Sequence, residues 1–444
     1  MKKRTTALLL AAALALSLLG VTALAAEGGP LPAGQAQPAE EPGAAPAAQP
    51  EGQGEEPSPE GGQPPEEPVE EYIPDPVGSL TFANLERRMR EGSLQVMSLQ
   101  ENIDMLEEID YDVLKEDLRQ QLNQLAQAQW MMVQFGQSGT LAYERMDQAY
   151  GAVREQFDAI KDGDMQADNA DTIRQLKNLQ NQIVMAGEAT YIALVAMEQQ
   201  EGGLERQLAA LDRQLTELEL RYQLGHISSM ALKQAKAGRA ALASGLDTLG
   251  MNLNTYKGQL ELLIGADITG GISLGALPTV DRESLGAMDL DADLESAKAN
   301  SWDLYQATET YKDARKEYND HGGESGLESH PNSTSYKQAR HTYYSAKYTY
   351  DNTVQNFELG LRNLYLKVKD NQQVLAAART ALAAEKDNFA VAQLKHSQGN
   401  LSQNALLEAQ DKVAEAQEKV SGAENDLFSS YNTYRWAVDY GILN

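Results

Sequence analysis

Apolar residues recur at alternating steps of three and four over long stretches of this chain. Leu176, Leu179, Ile183, Ala186, Thr190, Ala193 and Met197 open one such seam, and Leu204, Leu208, Leu211, Leu215, Leu218 and Tyr222 continue it. A second runs through Leu242, Leu246, Leu249, Leu253, Tyr256, Leu260 and Leu263. A third takes in Val354, Phe357, Leu361, Leu364, Val368, Leu375, Ala378 and Leu382. A sustained 3.5-residue period predicts long helices packed as left-handed coiled coils. At about 1.5 Å per residue, positions 338–396 alone would make a rod of roughly 80–90 Å. Alanine holds many seam positions, among them Ala235, Ala378, Ala409, Ala416 and Ala423. It allows close helix approach and suits sheets of helices that touch neighbours on two sides; a plain alanine-rich antiparallel hairpin is the alternative.

The rhythm breaks twice in the same way, at "RYQLGHISSMALKQA" from Arg221 and at "LKHSQGNLSQNALLEAQ" from Leu394. Gly225 and Gly399 can take the left-handed conformation that stops a helix. Ser228 and Ser402 are good N-caps for the next one. Ile227 with Leu232, and Leu401 with Leu406, have the spacing of a hydrophobic staple. The N3 positions are Ala231 and Ala405, so neither turn carries a capping box. Both breaks predict tight turns between two long antiparallel helices.

The match extends past the turns. At an offset of 174, Leu232 aligns with Leu406, Ala235 with Ala409, Leu246 with Val420 and Leu253 with Leu427. "LTFANLERRMREGSLQV" from Leu80 loosely echoes "LDADLESAKANSWDLYQ" from Leu290 at a larger offset. The chain therefore reads as an internal duplication, with repeats at 80–275 and 290–444. A linker at 276–289 lies between them, in a region where glycines and Pro278 interrupt the helix pattern. Ahead of the repeats, residues 1–25 have the basic, apolar and Ala-x-Ala regions of a secretory signal peptide, with an uncleaved anchor as the alternative. Residues 26–79 hold thirteen of the fifteen prolines, and no Lys or Arg occurs between Arg4 and Arg87. That composition predicts an extended acidic linker.

The turn sequences resemble those of the TolC family of outer-membrane efflux proteins. Arg221, Tyr222, Gly225, Ile227, Ser228, Leu232 and Ala235 fit the family's hairpin motif, and Leu262 to Gly265 fit the close of its first repeat. The second copy keeps Gly399, Leu401, Ser402, Leu406, Leu407, Glu408 and Ala409 without the Arg-Tyr pair. The resemblance implies an all-α fold of long antiparallel coiled-coil hairpins in two tandem pseudo-repeats, with tunnel architecture. It also implies a homo-oligomer, a trimer, that meets a periplasmic adaptor and through it a membrane pump. Carried over by motif, Gly225, His226, Ile227, Ser228, Gly399, Asn400, Leu401 and Ser402 become the partner-binding tips. One departure stands out. Where the family inserts transmembrane strands, "FGQSGTLAYERM" and "YNDHGGESGLESHPNSTSYKQ" lack the alternation such strands need.

Charge and chemistry narrow the field further. A formal net charge of −28 argues against nucleic acid, whose phosphates need basic patches, and against simple adsorption to anionic lipid. There is no cysteine for disulfides, thiolate metal sites or lipidation. No phosphate loop, nucleophile elbow or zinc-protease motif occurs, so no enzyme and no cofactor are expected. Among the histidines, His321 and His330 share a loop with Asp320, Glu324 and Glu328, but their spacing fits no known metal site. Tyr343, Tyr344, Tyr348 and Tyr350 read as helix-interface packing, with a ligand-facing platform as the alternative. The function these features point to is an exported, passive conduit or docking element of an efflux or secretion system, placed in the cell envelope. A structural or adhesive envelope coiled coil that lost its channel is the alternative.

Overall fold

The computed structural model describes residues 74–323 and 333–443. The expected signal peptide and nearly all of the expected linker lie outside the described residues. A short strand β1 (Ser79–Leu80) leads into α1 (Phe82–Gly92), α2 (Leu94–Glu107), α3 (Tyr111–Gln134), α4 (Leu141–Lys161), α5 (Asp164–Gln223) and α6 (Ser229–Leu263). Then come β2 (Ser273–Leu274), α7 (Arg282–Ala287), α8 (Leu290–Asn300), α9 (Trp302–Asp320), α10 (Thr334–Ser397) and α11 (Gln403–Tyr440). The fold is all-α: β1 and β2 form one parallel pair, with Ser79 opposite Ser273 and Leu80 opposite Leu274.

Two long antiparallel hairpins, α5–α6 and α10–α11, dominate. With 60 and 64 residues, α5 and α10 run roughly 90–95 Å. In the second hairpin the expected seam is the buried one. Phe357, Leu361, Val368, Leu375 and Leu382 pack in one cluster with Ala416, Val420, Ala423, Leu427, Tyr434 and Ala437. Large residues recur every seven positions on α10 and alanines do so on α11, which brings the two helices close. Asn371, on the same α10 stripe, donates to Asp426 O (2.9 Å) and Ser430 Oγ (3.0 Å).

The seam expected from Leu176 to Met197 is corrected. Ala186 and Ala193 are exposed, while Val184, Tyr191, Leu194 and Val195 are buried. Here α5 packs against α1, α2 and α11 at once. Its core face has rotated by about one residue from the stripe that an isolated two-helix seam would select.

The hairpins are joined through α5 and α11, which run antiparallel. Arg213 pairs with Asp411, Arg206 with Glu418, and Asn425 donates to Gln199 (2.8 Å). Each step along this ladder is seven residues on both helices, as a continuing coiled-coil register requires. On its other flank α5 meets α6 through Glu219–Lys236 (2.7 Å), Asp212–Arg239 (2.8 Å) and Glu198–Lys257 (2.6 Å). The four helices thus form a layer in the order α6, α5, α11, α10.

At the end of this layer away from the turns, each hairpin is closed by a short helix pair. α1 and α2 meet at Ser93, and α8 and α9 meet at Ser301; both serines are buried and extended. The first junction abuts Gly265 and the second abuts Gly441, the residues that follow α6 and α11. Below the first junction, Glu261 accepts from the backbone N–H of Thr269 (2.6 Å), Gly270 (2.6 Å), Gly271 (3.1 Å) and Ile272 (3.0 Å). It also accepts from Thr269 Oγ1 (2.9 Å). Buried Tyr191 directs its hydroxyl at Gly275 O (2.8 Å) and Leu80 O (3.0 Å), tying β2 and β1 to α5.

Two expected linkers are partly built into this end. Asp75, within 26–79, accepts from Thr81 N (3.0 Å), Thr81 Oγ1 (2.8 Å) and Asn84 Nδ2 (3.0 Å). The segment 276–289 contains the six-residue helix α7, capped by Asp281, whose side chain accepts from Ser284 N (2.6 Å).

Candidate functional site

Both turns close by the same hydrogen-bond arithmetic. Gly225 N–H donates to Tyr222 O (2.9 Å) and His226 N–H to Arg221 O (2.8 Å). In the second turn Gly399 N–H donates to His396 O (2.9 Å) and Asn400 N–H to Lys395 O (2.9 Å). These 5→2 and 6→1 bonds form a Schellman motif, which needs a left-handed residue; φ is 75° at Gly225 and 76° at Gly399. The next helix is then capped by serine in each case. Ala231 N–H donates to Ser228 Oγ and Ala405 N–H to Ser402 Oγ, both at 3.2 Å. Ile227, Leu232, Leu401 and Leu406 are half-buried in otherwise exposed turns, as a staple residue should be.

The structure brings the two sets of tip residues to the same end of the layer. Asn404 Nδ2, in the first turn of α11, donates to Glu217 Oε2 (3.2 Å), near the end of α5. Gly225, His226, Ser228, Gly399, Asn400 and Ser402 are all exposed. A Cβ added at Gly225 or Gly399 would meet nothing within 4 Å, so both turns face open space.

The electrostatics of this end differ from those of the chain as a whole. No Asp or Glu occurs from Leu220 to Leu246, a stretch holding Arg221, Lys233, Lys236 and Arg239. None occurs from Asn388 to Leu407, which holds Lys395. In a chain of net charge −28 these are islands without carboxylates. Arg221 and Lys395 fall in the last turns of their helices, where a cation complements the helix dipole. Just behind the tip, the two hydrogen bonds from Arg239 hold the Asp212 carboxyl below its ordinary range. This charge pattern is legible in the sequence alone, as two windows without carboxylates.

Other singled-out residues fall elsewhere. Tyr343, Tyr344 and Tyr350 join a column between α9 and α10, where Tyr343 stacks on Tyr318 (5.1 Å) and Tyr311 (5.8 Å). Tyr350 stacks on Tyr311 (5.6 Å), and exposed Tyr348 lies against Tyr344 (6.3 Å). The column is helix-interface packing. Tyr311, Tyr318 and Tyr336 belong to it and were overlooked, though 311/318 and 336/343/350 repeat every seven residues. Hydrogen bonding with Tyr336, reinforced by burial, pushes the Tyr318 phenol up to about 12. Among the described residues no group of His, Asp or Glu is placed to hold a metal ion; Glu324, Glu328 and His330 lie outside them. In the first of the two segments where the family inserts strands, α3 and α4 run helix to helix through a turn at 135–140.

One buried carboxyl had no sequence signal. Glu188 Oε2, inside the layer, accepts from Trp436 Nε1 (2.6 Å) and Asn432 Nδ2 (2.7 Å). Burial raises its pKa, and the two hydrogen bonds offset only part of that shift.

No protein-family model matches this sequence, and comparison with curated proteins yields no match. Among solved structures the chain is similar to TolC-family outer-membrane channels. The outer membrane protein VceC of Vibrio cholerae is 13% identical over 81% of this chain and 96% of its own, with a TM-score of 0.45. CusC is likewise 13% identical over 81% and 96%, with a TM-score of 0.47. The CmeC outer membrane channel of Campylobacter jejuni is 16% identical over 66% of this chain and 69% of its own, with a TM-score of 0.42.

Proposed function

We propose that this protein is an exported, TolC-like helical conduit and docking component of an efflux or secretion system. It works passively: no residue reacts, and the chain supplies a wall and a docking end. The observation that carries this reading is the pair of matching turns. Gly225-His226-Ile227-Ser228 and Gly399-Asn400-Leu401-Ser402 share one conformation, stand at one end of the layer and face open space. Two equivalent knobs side by side suit a repeated partner, such as the helical hairpins of an adaptor that links the conduit to a membrane pump. The carboxylate-free surroundings favour a partner whose contacting surface is acidic.

The open edges of the layer support self-assembly. Met230, Met251 and Leu262 on α6 are exposed, as are Leu359, Leu366 and Leu394 on α10. A sheet of helices with two apolar edges is completed when a neighbouring copy covers each, and closure of three copies gives a tunnel. In this reading residues 80–275 and 290–444 are the two repeats, each contributing one hairpin to the wall.

Two measurements test the proposal. Light scattering on the exported protein should give a closed trimer whose mass does not drift with concentration. Photoreactive residues at His226 and Asn400 should cross-link, in the producing cell, to one membrane-anchored protein. The same residue at Gly139, near the tip of the α3–α4 hairpin, should not capture that protein. A monomer at micromolar concentration with no cross-link from either turn would instead favour the envelope coiled-coil reading.

A further inference from the structure

The α3–α4 hairpin is not absorbed by the docking reading. It hangs from the N-terminal end of α5, the end opposite the Gly225 turn, and is attached there by the hydrogen bond from Asn169 Nδ2 to Tyr111 Oη (2.8 Å). Near this base α3 buries Leu118 and Leu122, and α4 buries Ile160. The far end is built differently. Trp130 is 64% exposed, Phe135 78% and Leu141 62%, and Met131 and Val133 are exposed beside them.

Three features of this tip point to one kind of occupant. The first is its shape. Trp130, Met131, Met132 and Val133 are consecutive, so at 100° per residue they point in every direction around the last turn of α3. Phe135 and Leu141 continue the apolar surface across the turn. A protein partner laid on one side needs only a stripe, whereas an apolar medium entered end-on needs apolar groups all round.

The second is charge. No Asp, Glu, Lys, Arg or His occurs from Gln120 to Tyr143, 24 residues in a row and the longest such run among the described residues. Charged groups are what hydrocarbon excludes most strongly. The remaining polar groups are Gln, Asn, Ser and Thr, which a headgroup region can hydrate.

The third is the placement of aromatic rings. Trp130, of the type enriched at membrane–water boundaries, immediately precedes the more apolar Met131 to Phe135 segment, and half-buried Tyr143 lies beyond the turn in the first turn of α4.

We infer that the tip of the α3–α4 hairpin inserts shallowly into the interfacial region of a lipid bilayer. No helix among the described residues is long and apolar enough to cross a membrane, so the contact is superficial. The acidic chain is repelled by anionic lipid, which makes a zwitterionic surface the better match. The inference stands apart from the docking reading, because it concerns the other end of α5.

The absence of native cysteine gives a clean test. Phe135→Cys in the full chain takes an environment-sensitive fluorophore at that site alone, and Ser229→Cys labels the opposite end as a control. Phosphatidylcholine vesicles should shift the emission at position 135 to the blue and let a spin-labelled lipid quench it, leaving position 229 unchanged. Adding Trp130→Gln and Leu141→Gln, both exposed positions, should weaken that response about tenfold or more. The helical circular dichroism should be retained. A label at 135 that stays in water while the chain floats with vesicles would show that some other segment binds, and would overturn the inference. A shift that appears without vesicles and grows with protein concentration would overturn it too, assigning the tip to a second copy of the chain. No response to vesicles at all would leave a protein partner as the occupant and reject the lipid contact.

Discussion

A Cβ added to Gly265 would stand 2.2 Å from the carbonyl oxygen of Gly92, so the end of α6 and the α1–α2 junction touch backbone to backbone. Gly441 stands in the same relation to Ser301, whose backbone N would lie 2.3 Å from an added Cβ. Gly225 and Gly399 have similar φ values but no neighbours. Four helix-ending glycines therefore divide into two kinds. Gly225→Ala and Gly399→Ala should each cost only the left-handed backbone penalty, about 1 kcal/mol. Gly265→Ala and Gly441→Ala add a clash with backbone that cannot swing aside, and should each cost more than about 2 kcal/mol. Urea midpoints of the four variants would check this, and equal losses at both ends would refute the close-contact account.

Glu261 provides the second prediction. Burial alone would raise its pKa, but the N–H groups of Gly270, Thr269 and Ile272, with the Thr269 hydroxyl, outweigh it and hold the carboxyl below its ordinary 4.5. The stabilisation is therefore present above pH 4.5 and lost as pH falls through the lower folded value. Glu261→Gln turns an amide donor toward backbone donors and should cost about 2–3 kcal/mol at pH 7. The variant should also lose this carboxyl's share of the acid sensitivity. Hydrogen exchange should locate the loss at residues 269–272, and unchanged protection there would count against the assignment.

How much of this could be read in the sequence depends on how local the cause is. The Gly225 and Gly399 turns were legible because a left-handed glycine, a serine cap and a staple all act within a few residues. The 357–382 seam was legible because α10 buries a single stripe against one main partner, α11. Between 176 and 197 several neighbours compete for α5, and apolar runs such as Ile183-Val184-Met185 offer more than one face. Periodicity then finds the helix but misplaces its core. The Arg213–Asp411 and Arg206–Glu418 pairs join positions about two hundred residues apart, where no local pattern selects a partner. Turn chemistry also hid the α3–α4 tip. "FGQSGT" reads as a polar loop until α3 is seen to bring Trp130 and Met131 up beside it.

Glu188 should make stability fall with rising pH across a defined window. Burial raises its folded pKa above the ordinary 4.5, so the folded chain holds a proton that the unfolded chain has released. Its contribution is complete below pH 4.5 and declines as pH rises through the raised folded value. Glu188→Gln keeps an oxygen to accept from Trp436 Nε1 and Asn432 Nδ2, and removes the ionisation. Relative to the parent, the variant should gain stability as pH rises above 4.5. Parallel urea midpoints over this range, with no divergence between the two proteins, would rule Glu188 out as the source.

Charge at the end that carries the two turns gives the last prediction. Lys233 and Lys395 stand in the two carboxylate-free stretches beside the turns; Lys233 is exposed, and Lys395 lies in the last turn of α10. Among the described residues no ion pair involves Lys233, so Lys233→Glu should leave folding almost unchanged, within about 0.5 kcal/mol. Lys395→Glu places an anion at a helix C-terminus and should cost up to about 1 kcal/mol. If the turns meet an acidic partner, the double variant should lose most of the cross-linking captured from position 226. In the parent chain that cross-linking should weaken as ionic strength rises past the level where the Debye length falls to about 8 Å. Lys347→Glu combined with Lys367→Glu, both well away from the turns on α10, is the control matched in net charge and should leave capture intact. Capture that survives both Glu substitutions and added salt would mean the turns dock through shape alone. Capture that fails equally in the control would mean the effect belongs to the charge of the whole chain.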